Sequence, residues 1–275
     1  MAVASRPAQT AQPVGRNGPI PFSPGACLGY APTGRWNGVT VFLDPGHGGV
    51  DTGTMGVLGG RIVTEKEVTL AVGLRTLALL RAAGYRVVIS RTRDSTVARY
   101  AEADLHQGVL DPDAAQREVE VRDVCANAAH ADILVSIHMN GFADRSANGT
   151  ETFFCPTRPF AAHSRRLADL VQRALMSAFK NSGTMTFDRG VLPDGEGGGA
   201  ALTPQTANYH HLIMLGPADR PWLPYPSRMP GVLVEPAFLT NPSQASFVVS
   251  GRGQEALARG LVAAIDSYFD RPGAA

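Results

Sequence analysis

No apolar run in the 275 residues approaches the roughly 18 residues that a bilayer-spanning helix needs, so a membrane span is not expected. Charge of one sign is also missing. Twenty-five Lys and Arg face 24 Asp and Glu, and the formal +1 removes the electrostatic case for nucleic acid or an anionic membrane surface. Three cysteines (Cys27, Cys125 and Cys155) are too few for a disulfide scaffold; one pair and one leftover thiol is the open expectation, and spacing alone does not choose the pair. Met1 to Pro7 has no basic start followed by an apolar stretch, so no export signal is legible; a cytoplasmic protein and an exported chain without its signal read alike. There is no internal repeat. What the chain does have is 44% hydrophobic residues, which suits a globular core and excludes a largely disordered chain.

Residues 1–35 hold six Pro and five Gly without apolar periodicity and read as an extended arm, part of it packing on a domain that spans 36–271. Five short runs, nearly all apolar, read as buried strands: Val39 to Asp44, Tyr85 to Ser90, Asp132 to His138, Thr150 to Cys155 and Gly231 to Glu235. Between them lie helical patterns. Thr64 and Glu67 form a capping box ahead of leucines spaced on one helical face. Asp111-Pro112 opens a helix to about His130, 158–180 is a third, and 253–269 closes the chain. A polar helix is expected over 95–107, and one strand, His211 to Leu215, within the stretch 183–230 with its seven Gly and seven Pro. Alternation of buried strands and helices predicts a single α/β domain, a mostly parallel (mixed) twisted sheet with helices on both faces.

Ligand crevices in open α/β sheets lie outside the carboxyl ends of the strands. His47 follows the first strand, His138 ends the third, Glu235 ends the last, and Glu65 opens the first helix on the same edge. Two His and one carboxylate make a common catalytic zinc shell, and a further carboxylate suits a general base. Each residue alone also has a bland reading, as a turn residue or a backbone hydrogen-bond partner. The spacings form no local fingerprint such as H-E-x-x-H. His210-His211 invite a metal reading, but neighbouring strand residues face opposite ways, so one surface and one crevice-lining residue is the preferred assignment. His106, His130 and His163 are expected on helices facing solvent. Gly195 to Gly199 reads as a loop rather than a phosphate cradle. Asp44 and Ser136 either orient the histidines or cap backbone, and Arg93 and Arg122 read as structural ion partners.

The run from Val41 to Gly49, Phe-Leu-Asp-Pro-Gly-His-Gly-Gly at its heart, resembles the opening strand and His loop of the zinc-dependent N-acetylmuramoyl-L-alanine amidases of the type 3 family. Glu65-Lys66-Glu67, Ser136-Ile137-His138 and Glu235-Pro236-Ala237-Phe238-Leu239-Thr240-Asn241 are similar to that family's later segments, in order, and Arg189-Gly190 falls where the family tends to have Arg-Gly. The departures (Glu67 for Asp, Met139 for the commoner Ala) touch no proposed ligand. The resemblance implies that His47, Glu65 and His138 hold one Zn²⁺ per chain and that Glu235 is the catalytic carboxylate. It implies cleavage of the amide between the lactyl group of N-acetylmuramic acid and L-alanine in peptidoglycan muramyl peptides, by a monomer in the cell envelope, periplasm or extracellular space. The alternatives are another zinc peptidase or carboxypeptidase acting on wall peptides, and a non-catalytic wall-binding regulator.

Overall fold

The computed structural model of the chain describes residues 11–15, 18–196, 209–219 and 223–270. Its main sheet has eight strands: Gln12–Pro13 (β1), Leu28–Tyr30 (β2), Thr40–Pro45 (β3), Arg86–Ile89 (β4), Ile133–Ile137 (β5), Thr150–Phe154 (β6), Asp188–Pro193 (β7) and Gly231–Glu235 (β8). Their spatial order is β1-β2-β4-β3-β5-β8-β6-β7. The central four, β4-β3-β5-β8, are mutually parallel. β2 runs antiparallel on one flank, and β6 with its parallel neighbour β7 runs antiparallel on the other.

Among the described residues five α-helices cover it: Glu65–Ala82 (α1), Pro112–Ala128 (α2), Ala161–Asn181 (α3), Pro242–Val249 (α4) and Gly251–Tyr268 (α5). Alternate strand residues separate into two cores, as the two-residue period of a strand requires. Val41, Leu43, Ile133, Val135, Ile137, Val232 and Val234 pack with α1, α3 and α5. Phe42, Val88, Leu134, Phe153 and Leu233 face the other way, onto Cys125, Ala126 and Ala129 at the α2 end and onto Leu212, Met214 and Leu215. Burial on both faces explains why these strands read as unbroken apolar runs.

The chain passes from β3 through α1 to β4 on one side, and then through α2 to β5 on the other. The strand order therefore reverses between β3 and β5, which is where such sheets open a crevice at their carboxyl ends.

Several elements differ from the sequence expectation. The arm supplies β1 and β2, so its described part extends the sheet, and a Cys27–Cys125 disulfide ties it to α2, leaving Cys155 as the buried free thiol. The 95–107 stretch holds a single 3₁₀ turn, Glu102–Asp104, in place of the expected helix. Val97 and Ala98 donate their N–H groups to the Glu118 carboxylate, and Leu105–His106 pairs with Val109–Leu110 across Gln107 and Gly108, both at positive φ as a two-residue hairpin turn requires. His211 to Leu215 is turn rather than strand, with the Leu215 and Gly216 N–H groups both donating to the Leu212 carbonyl. β7 is the strand that the Pro- and Gly-rich stretch holds instead. Of the minor histidines, only His163 sits on a helix, α3; His106 lies in the short hairpin and His130 follows α2 at φ 49°. Gly197, Gly198 and Gly199 lie outside the described residues.

Candidate active site

β3 ends at Pro45, and the chain turns at once to place His47 over the crevice at φ 60°, a left-handed conformation that costs a non-glycine residue about 1–3 kcal/mol. The surroundings force it. Buried Arg91 donates to the carbonyls of Pro45 (3.0 Å) and Gly46 (2.9 Å). Arg122 donates to the carbonyls of Pro45 (3.1 Å) and His47 (3.0 Å). Arg122 is held in turn by Asp44 at 2.6 Å and Glu118 at 2.8 Å, and Ser136 donates to the second Asp44 oxygen at 2.8 Å. Asp44 and Ser136 therefore anchor the loop through a buried ion pair and do not bond either imidazole. Arg122 is the structural cation expected, whereas Arg93 bonds the Pro24 carbonyl rather than a carboxylate, and Arg91 went unnoticed.

Glu65 is the first residue of α1, so its carboxylate lies beside the unpaired N–H groups of the helix start. It accepts from the Met139 N–H through Oε1 and from the Thr54 N–H through Oε2, both at 2.8 Å. Its Oε1 lies 3.2 Å from His47 Nε2 and 3.0 Å from His138 Nδ1. The two rings meet edge to face with centroids 4.9 Å apart. There is no slack here. A Cβ on Gly46 would stand 2.4 Å from the His138 ring, and one on Gly53 (φ 61°) would stand 2.5 Å from both Glu65 and His47.

Nδ1 of His47 is 2.7 Å from Asp51, and Asp51 also accepts from the Gly53 N–H. That carboxylate fixes the ring and leaves Nε2 turned toward Glu65. Asp51 was missed; its one sequence signal is its position four residues after His47.

Ligand atoms of His47, Glu65 and His138 all lie within 4.8 Å of one another. Burial alone would raise the Glu65 carboxyl, but the two imidazoles hold it well below the usual carboxylate range. Burial works against charging His47, yet Glu65 and Asp51 outweigh it and push the imidazole up to about 10. The cluster is thus short of positive charge, and its donor set suits a divalent cation.

Glu235 closes β8 directly opposite Glu151 in the antiparallel pair with β6. Its Oε2 is buried and has no hydrogen-bond partner. Burial first, then the nearby carboxylates of Glu65 and Glu151, raise its pKa well above the ordinary value. Glu151 is itself engaged, by Arg189 at 2.6 Å and by the Asn140 amide, so Arg189-Gly190 enters the site through a carboxylate. All four expected residues line one cavity of about 510 Å³. Its other wall is apolar, with Val109, Leu110 and Val119 from the 95–120 stretch and Leu212, Ile213 and Met214 from the 183–230 stretch.

Comparison with known proteins gives a consistent answer. The profile of the N-acetylmuramoyl-L-alanine amidase family matches residues 41–267. The N-acetylmuramoyl-L-alanine amidase LytC of Bacillus subtilis is 32% identical over 232 residues, covering 84% of this chain but only 36% of LytC. Among solved structures, an N-acetylmuramoyl-L-alanine amidase from Clostridium difficile 630 is similar at TM-score 0.60 and 29% identity, covering 86% of this chain and all of that one. The CwlD amidase of Clostridioides difficile, solved with the GerS lipoprotein, shares the fold at TM-score 0.64 and 23% identity over 84% of this chain and 98% of that one.

Proposed function

This chain belongs to the N-acetylmuramoyl-L-alanine amidase family, hydrolases of the peptidoglycan amide bond, and from that premise we propose that His47, Glu65 and His138 hold one Zn²⁺ while Glu235 transfers the proton. The observation that carries this reading is the meeting of two imidazoles, one buried carboxylate and the partnerless Glu235 Oε2 in a single cavity. When bound, the cation supplies Lewis acidity toward the scissile carbonyl and lowers the pKa of water beside it. The chain's own residues do the rest. Asp51, the Thr54 N–H and the Met139 N–H keep the donors oriented. Glu235, whose basicity is raised by its surroundings, takes the proton of the attacking water and returns it to the leaving amine of L-alanine.

The substrate in this reading is a muramyl peptide, cut between the lactyl carbonyl and L-alanine. Every proposed group comes from one chain, which fits a monomer. A location in the cell envelope or outside the cell agrees with a wall substrate, and the Cys27–Cys125 disulfide supports an oxidising compartment.

The test is Glu235→Gln assayed on a muramyl dipeptide and on purified peptidoglycan. Zinc content is expected to stay at the wild-type level while peptide release falls about 10²–10⁴-fold. Full activity in that variant sinks the assignment. Mass spectrometry of the wild-type products separates the amidase reaction, which frees an intact stem peptide and a lactyl carboxyl, from a carboxypeptidase reaction, which shortens the stem.

A further inference from the structure

At the opposite end of the sheet a second set of unlike donors converges. Cys155 follows the last residue of β6, Asp194 stands in the turn after β7, and His211 lies in the turn that replaces the expected strand. Cys155 and Asp194 are 2% and 1% exposed, while the His211 side chain retains 20%, enough for entry from solvent. His211 Nδ1 is 3.0 Å and 3.1 Å from the two Asp194 oxygens and 3.5 Å from Cys155 Sγ. The three donor atoms lie within 4.8 Å of one another.

Two arrangements use a cysteine, a histidine and an aspartate. In a nucleophilic triad the histidine stands between its partners, binding the carboxylate through one ring nitrogen and the nucleophile through the other. Here both the carboxylate and the sulfur face the same nitrogen. A single Nδ1–H cannot serve both, and the Cys155 side chain hydrogen-bonds Asp194 directly, so His211 does not stand between them as a relay. Three donors of different type aimed at one point is instead the geometry of a metal shell. Among the described residues no Lys or Arg ion-pairs with Asp194, so this buried carboxylate has only an imidazole as its ionic partner.

We propose that Cys155, Asp194 and His211 form a second divalent-cation site, of zinc type, separate from the amidase centre. One thiolate, one imidazole and one carboxylate favour a borderline-soft cation over Mg²⁺ or Ca²⁺, with a water as fourth ligand on the exposed side of His211. Thr157 Oγ1, 3.3 Å from the sulfur, is placed to hydrogen-bond the thiolate. The role follows from position. The ion joins Asp194 to His211, 17 residues further on, and fixes the residues immediately after it, Leu212 to Met214, which wall the catalytic cavity. Cys155 and Asp194 directly follow the last register pair, Phe154 and Pro193, of the parallel strands β6 and β7, so the sheet holds two donors side by side and the cation acts as a clamp that ties His211 to them.

The full chain, stripped with a chelator and titrated with Co²⁺, tests this by a signature that the other site cannot give, because His47, Glu65 and His138 contain no sulfur. We expect two equivalents to bind, one of them with thiolate-to-cobalt charge-transfer absorption. Cys155→Ser is expected to remove that absorption and one equivalent, and His211→Gln to weaken the same equivalent at least tenfold, with far-UV circular dichroism unchanged. Bound Co²⁺ or Zn²⁺ should also protect Cys155 of the wild-type chain from alkylation at least tenfold, a readout that needs no variant. A wild-type chain with no charge-transfer band, a band that survives Cys155→Ser, or alkylation unaffected by metal would overturn the proposal. Loss of the sulfur-free equivalent with the band intact would count against the amidase ligand set instead and leave this site standing.

Discussion

The two donor clusters sit at opposite ends of the same sheet. Glu235 faces Glu151 at the start of β6, and Cys155 follows its end, about 13 Å away at the usual rise per residue. They are built in different ways. Each donor of the His47–Glu65–His138 cluster stands at, or within two residues of, the end of a regular element, and two buried arginines hold the carbonyls of Pro45, Gly46 and the strained His47. In the Cys155–Asp194–His211 cluster, Cys155 and Asp194 follow the paired ends of β6 and β7, and only His211 comes from a turn that abuts no strand among the described residues. The first site is therefore preorganised in all its donors, whereas the second has two donors set by the sheet and depends on what they bind to hold His211.

The largest effect should come from Glu65→Gln, which removes the anionic donor shared by both imidazoles. Hydrolysis is expected to fall to background and the sulfur-free metal equivalent to disappear, while the thiolate–cobalt absorption persists; loss of both would show that the clusters are not independent. Next is Arg122→Met. It leaves Asp44 and Glu118, both buried, without their cation, and should cost about 3–5 kcal/mol in urea unfolding. If the variant unfolds like wild type, the strained His47 turn is held by Arg91 alone. The paired change Cys27→Ala with Cys125→Ala opens a loop of 98 residues and should cost about 2–5 kcal/mol. An unchanged urea midpoint would mean that the arm packs as firmly without its covalent tie.

The smallest effect concerns a group that neither cluster uses. Burial keeps Asp123 protonated well above its ordinary 3.8, even with Arg158 acting to lower it. The unfolded chain loses that proton near 3.8 and the folded chain only at higher pH. The contribution is thus most favourable below 3.8 and declines, by at most about 1.4 kcal/mol per pH unit, until the folded carboxyl ionises. Asp123→Asn does not titrate. Its stability relative to wild type should rise with pH over that interval, and a gap independent of pH would contradict the protonated assignment.

The same contrast explains what could be read from the residues. The five core strands were legible because burial on both faces leaves continuous apolar runs, and the catalytic candidates were legible because they stand where those runs stop. β1, β2 and β7 were not. The first two are strands of two and three residues in a Pro-rich arm at one margin of the sheet, and β7 is the half-exposed edge strand at the other, where polar residues are tolerated. Asp51 and Arg91 were missed because their work is done through a neighbour's ring and through backbone carbonyls, neither of which leaves a pattern in the chain. His211 was read as a strand residue with a lone side chain. Its partners, 17 and 56 residues earlier, meet it only through loop paths that no periodicity encodes.

The Cys27–Cys125 bond divides the reacting groups topologically: His47 and Glu65 lie inside the covalent ring it closes, His138 and Glu235 outside it. A protease that cuts anywhere from 28 to 124 therefore yields two pieces that stay joined until a reductant is added. A cut between 126 and 234 breaks the covalent path from Glu235 to both ring-borne ligands. Nicking within 28–124 is therefore expected to be better tolerated than nicking within 126–234.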